Sequence, residues 1–135
     1  MSLLDRGESI SDEALARALD ALAAVYHDTP SGRPSDAEAE PPRDDYRLIR
    51  QHVGRIFPDL GLYATADPLE VPNEEALVGD AIDDISDIAL DLKEILWRWQ
   101  NLGADDAIWH FRFGYQTHWG RHLHGLRFYL HAKQF

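Results

Sequence analysis

The fold class predicted for this chain is an all-α, up-and-down bundle of about four helices with an irregular N-terminal linker. Three observations predict it. Apolar residues recur at three- and four-residue steps in four segments, capping residues open those segments, and no alternating apolar–polar run is bounded by hairpin turns. With 135 residues, 44% hydrophobic and 27% charged, the chain suits one domain spanning 1–135 with its own core.

A flexible start is expected over residues 1–10. Ser11 then fits an N-cap, with Asp12 and Glu13 near the positive end of the first helix and Ile10 and Leu15 at hydrophobic-staple spacing. Leu15, Leu19, Leu22, Ala23 and Tyr26 carry that helix from 12 to 27. The stretch 28–42, rich in proline, glycine and small polar residues, reads as a mobile linker, because it holds too little apolar surface to offset ordering entropy. A second helix opens at Asp44 or Asp45 and repeats Tyr46, Ile49, Val53, Ile56 and Phe57 up to Pro58. Residues 58–79 read as an irregular connection, with Leu60, Leu62 and Tyr63 packing over a helix end.

Asp80 fits the N-cap of the third helix, whose apolar arc is Ile82, Ile85, Ala89, Leu92, Leu96 and Trp99. Gly103 ends it. Asp105 is expected to cap a fourth helix over 106–133, folded back antiparallel on the third. Gly114, Gly120 and Gly125 interrupt this helix, each costing about 1 kcal/mol relative to alanine, and are expected to allow close approach of a neighbour or a kink.

Charge sets the next bound. The net charge is −11. Residues 107–135 hold Arg112, Arg121, Arg127 and Lys133 and no acid, so they carry +4, leaving −15 on residues 1–106. The acidic balance disfavours nucleic acid and anionic lipid as partners. No stretch approaches the roughly 18 apolar residues of a membrane span, so a cytoplasmic location is expected. With no cysteine, thiolate zinc sites, iron–sulfur clusters and cysteine nucleophiles are excluded. The H-E-x-x-H, G-x-S-x-G, phosphate-loop and Glu-x-x-His patterns are also missing.

Polar residues converge in one place. Asp80 and Asp83 suit N-cap and N3 positions, but Asp84, Asp87 and Asp91 fall within about 60° of one another beside the apolar arc. On the fourth helix Tyr115, His118 and His122 share a similar sector with Phe111 and Tyr129. Equal rise along two antiparallel helices sets Asp84 opposite residue 123 and Asp87 opposite residue 120. The carboxylates are therefore expected to meet His118 and His122, with Arg112 and Tyr115 nearer the turn. One reading is a structural network that satisfies buried polar groups and sets helix register, with no cofactor. Another is a divalent metal (zinc, iron or manganese) held by Asp84, Asp87, His118 and His122 in a metal-binding protein or metal-dependent hydrolase. A third is a small polar ligand among the acids, Arg112 and the aromatics. Trp97, Trp99, Trp109 and Trp119 pack the core, or anchor self-association or an unknown protein partner.

Four segments carry a family resemblance: Phe57-Pro58-Asp59-Leu60-Gly61-Leu62-Tyr63, Asp83-Asp84-Ile85-Ser86-Asp87-Ile88, Asp91-Leu92-Lys93 and His118-Trp119-Gly120-Arg121-His122. Together they resemble the small bacterial helical proteins catalogued as domain of unknown function 5063, over residues 44–131. The resemblance implies an α-helical, cytoplasmic, bacterial protein and brings no activity, cofactor or assigned residue with it. The expected role is that of a non-enzymatic interaction or accessory domain, with the metal-dependent role as the alternative.

Overall fold

The structure, a computed structural model, describes residues 9–135; most of the flexible start expected over 1–10 lies outside the described residues. Helix α1 (Asp12–Asp28) opens as the sequence expects, with the Ser11 hydroxyl accepting from Ala14 N at 3.1 Å. Helix α2 (Tyr46–Ile56) is capped by Asp45, and α3 (Ala81–Leu102) by Asp80, whose carboxylate accepts from Ile82 N and Asp83 N. Among the described residues the architecture is all-α apart from one small hairpin. Among the described residues no helix is long and apolar enough to cross a membrane.

The irregular reading of 58–79 requires correction. Leu62–Thr65 (β1) pairs antiparallel with Leu77–Asp80 (β2), Leu62 facing Asp80 and Tyr63 facing Gly79. Both strands are mostly exposed, so they lack the apolar alternation that marks a half-buried strand. Leu60 is buried and Tyr63 stacks on Tyr129 at 4.9 Å, whereas Leu62 points to solvent.

Gly103, at φ 101°, makes the turn after α3; no side chain caps the next helix, and Asp105 lies in its first turn. The expected fourth helix is three pieces: α4 (Ala104–Gly114), a π-helical turn (Tyr115–Trp119) and α5 (Gly120–Gln134). Two of the glycines read as interruptions bracket the π turn. A Cβ on Gly114 would lie 2.9 Å from the Trp119 indole, and one on Gly120 would lie 2.2 Å from the Tyr115 carbonyl oxygen. Gly125 lets Tyr63 approach, since a Cβ there would meet its hydroxyl at 2.9 Å.

The core runs through Leu15, Leu19, Val53, Ile56, Ile85 and Ile88, and along α5 through Leu123, Leu126 and Leu130. Trp119 is fully buried and donates its indole N–H to Phe111 O at 3.2 Å, tying the π turn to α4. The apolar arc of α3 does not stay covered to its end: Leu96 and Trp99 are more than half exposed. Opposite charges join the chain's two halves, since Arg127 and Lys133 of α5 pair with Asp20 and Asp12 of α1 at 2.7 and 3.1 Å. Residues 29–45 form no helix or strand, yet Arg33 N donates to Asp105 O and Ser35 N to the buried Asp106 carboxylate.

Candidate functional site

The site lies between the first half of α3 and the junction of the π turn with α5. Asp83, Asp84, Asp87 and Asp91 step along α3 at helical spacing, and the two strands before it deliver Tyr63 to the same face. His122 Nδ1 lies 2.7 Å from Asp84 Oδ1, and its Nε2 lies 3.1 Å from Asp87 Oδ2. His118 Nδ1 lies 2.6 Å from Asp91 Oδ2. The imidazole planes cross at 80° with centroids 4.9 Å apart. One nitrogen from each of His118 and His122 and one Asp87 oxygen all lie within 4.8 Å of one another, and Asp83, Asp84 and His122 form a second such group.

Burial falls across the cluster. The Asp84 side chain is 7% exposed, His122 and Asp87 are about a fifth exposed, and the His118 side chain is 48% exposed. One end of the cluster is therefore sealed in the core and the other is open to solvent. His118 accordingly stands at the margin of the inward face expected of it.

The electrostatics follow from this arrangement. The hydrogen bond with Asp84 holds the His122 imidazole above its ordinary value; burial opposes this, and the charges of Asp87, Asp84 and Asp83 add to it. Burial, with Asp83 nearby, raises the Asp87 carboxyl, against the pull of His122 and His118. Tyr63 donates to Asp84 and Tyr46 to Asp83. Burial and the Asp83 bond push the Tyr46 hydroxyl up to about 12, and burial with the Asp84 bond raises Tyr63 further, so both phenols remain donors. Four carboxylates face two imidazoles, which leaves two negative charges in excess even with both rings protonated. The neighbouring cations are engaged next door, Arg50 with Asp80 at 2.7 Å and Lys93 with Asp44 at 2.9 Å.

The structure thus brings together Asp84, Asp87, Asp91, His118 and His122. It separates Arg112 and Tyr115 from them, correcting their expected place in this network. Arg112 donates to the carbonyls of Tyr26 and Thr29, and its guanidinium sits 4.8 Å over the Tyr26 ring. Tyr115 stacks on Tyr26 at 3.8 Å, and its hydroxyl lies 2.8 Å from His124 Nε2. These two residues serve the contact of α1 with the end of α4 and the π turn. Asp83, Tyr46 and Tyr63 belong to the site and were not singled out for it. Asp83 was accounted for by its place in the first turn of α3, and the tyrosines come from segments outside the two helices whose pairing could be worked out.

A family model described as Domain of unknown function (DUF5063) matches residues 11–135, which takes in α1 and the irregular segment as well as the site. No curated protein and no solved structure matches the chain.

Proposed function

We propose a function for this chain, which belongs to the Domain of unknown function (DUF5063) family: it is a metal-binding accessory protein of the bacterial cytoplasm, holding one divalent transition ion with Asp87, His118 and His122. The observation that carries this reading is the three-residue convergence within 4.8 Å, at the solvent-open end of a cluster with excess negative charge. Two imidazoles and a carboxylate suit zinc, and also manganese or iron. Asp91 and Asp84 support the reading from behind. Each lies against a Nδ1 of one imidazole, the arrangement by which carboxylates orient metal-bound histidines. In this role Asp84, whose oxygens already meet Tyr63 and His122, positions a ligand rather than serving as one. Three protein ligands leave a position for water, a coordination pattern shared with hydrolytic centres.

Elemental analysis of native protein and calorimetric titration of chelator-treated protein with zinc or manganese test the reading. One equivalent is expected, with binding lost in His118→Ala and weakened about 10- to 100-fold in Asp91→Asn. A protein that takes up no stoichiometric metal overturns it.

One observation favours a metal-free alternative. Among the described residues no buried side-chain nitrogen or oxygen lacks a hydrogen-bond partner, so the cluster is also complete as a network fixing the register of α3 against α5. On that reading the exposed Trp99 and Phe113 are anchors for a protein partner, and titration yields no metal uptake.

A further inference from the structure

We infer that the outer edge of β1 docks an extended, lysine- or arginine-bearing segment of a partner protein as a third strand. The sheet has two strands, so among the described residues none flanks β1 on its outer side. Ala81 N donates to Gly61 O just beyond the end of the ladder, and bonded pairs alternate along antiparallel strands. Tyr63 and Thr65 therefore bond inward to Gly79 and Leu77, while Leu62 and Ala64 aim their N–H and C=O groups outward. Those outward groups have no partner among the described residues. β1 also carries neither charge nor proline, the devices that ordinarily blunt a free edge. Tyr63, between the two, turns the other way, stacked on Tyr129 and donating to Asp84, so the edge stands on a packed base.

Side chains and charge decide the occupant. Leu62, Ala64 and Val78 share one face of the hairpin, where Leu62 is 68% and Val78 71% exposed, and Leu69 and Val71 of the connection between the strands are more exposed still. Apolar residues of an incoming strand fit that face. Residues 62–80 hold Asp67, Glu70, Glu74, Glu75 and Asp80 and no Lys, Arg or His. Asp80 is engaged by Arg50, but the other four have no ion-pair partner among the described residues. A cationic segment complements this hairpin. A second copy does not, because pairing edge to edge would bring the same four unneutralised carboxylates together from each molecule. The edge uses none of Asp87, His118 and His122 and stands whether or not they hold a metal.

The test is anisotropy titration of a fluorescent, acetylated peptide of alternating lysine and valine with the chelator-treated full chain, joined to backbone amide exchange. Saturable binding is expected, with exchange slowed at the amides of Leu62 and Ala64 and unchanged at Tyr63, which is bonded already. A peptide with glutamate in place of lysine should not bind. Ala64→Pro removes an outward N–H without breaking a ladder bond, and is expected to weaken the lysine peptide about tenfold with helical circular dichroism retained. Glu70→Lys combined with Glu74→Lys, both in the exposed connection, should also weaken it about tenfold. No saturable binding, equal binding of the glutamate peptide, undiminished binding by either variant, protection that spares Leu62 and Ala64, or a dimer of the free protein that Ala64→Pro dissociates overturns the proposal.

Discussion

His122 sits between two carboxylates, and the two bonds have different consequences. The bond to the buried Asp84 raises the imidazole's folded value, with the charges of Asp87 and Asp83 adding to it. A raised histidine stabilises the fold fully below its unfolded value near 6.5, and that contribution disappears as pH rises through the folded value. In chelator-treated protein, urea unfolding measured from pH 5 to 9 is therefore expected to show stability falling across that window. His122→Gln should flatten the fall; an unchanged pH profile in that variant would assign the loss to other groups. Asp106 behaves in the opposite sense. Burial works against its charge, but hydrogen bonds from Ser35 N and Arg98 outweigh it and hold the carboxyl below the usual range. Its contribution is present above the unfolded carboxylate value and lost as pH falls through the folded one. Removing a buried, paired charge leaves Arg98, with a side chain only 16% exposed, without one partner. Asp106→Ala is accordingly expected to cost about 3–5 kcal/mol in denaturant unfolding and to speed amide exchange at Ser35.

The element that positions His118 is the π turn, and its sequence marks were only half readable. Gly114 and Gly120 stood out as interruptions, but a helix wheel advances by the same angle at every residue and cannot show an inserted one. Trp119 consequently turns into the core while His118 moves to the solvent side. The same uniform wheel placed Tyr115 beside the acids, and the equal-rise register placed Arg112 there with it, although both lie against α1. The hairpin was illegible for another reason: four-residue strands that are mostly exposed, joined through residues 66–76, show neither alternation nor a two-residue turn. Gly120→Ala sets a methyl 2.2 Å from the Tyr115 carbonyl oxygen. It is expected to cost about 1–3 kcal/mol and to shift the His118 ring resonances more than those of His122. Equal shifts would mean that the turn does not position His118 in particular. Gly103→Ala, at φ 101°, is expected to cost a similar amount, about 1–3 kcal/mol, without moving either imidazole.

For the molecule as a whole, the all-α class was readable because Leu15–Leu19–Leu22 on α1 and Ile85–Leu92 on α3 keep helical period across well-capped segments. The meeting of the α3 acids with the imidazoles of the π turn and α5 was accessible from the Gly103 reversal and equal helix rise. Tyr46 and Tyr63 were not, because their side chains arrive by packing between elements far apart in the chain, and Asp83 was hidden by its ordinary fit to the first turn of α3. A cation that binds only the folded molecule links this cluster to global stability. At a hundredfold excess over its dissociation constant it adds about 2.7 kcal/mol, which raises Tm by several degrees.

The central claim is that Asp87, His118 and His122 act together as one cation site. Its most direct measurement is a zinc titration of chelator-treated protein followed through the imidazole nitrogen resonances of all seven histidines. The account predicts that His118 and His122 change together and are complete at one equivalent, while His110, His124 and His131 hold their positions. Histidines that respond alike, or a His118 and His122 pair that stays unchanged through one equivalent, would contradict it.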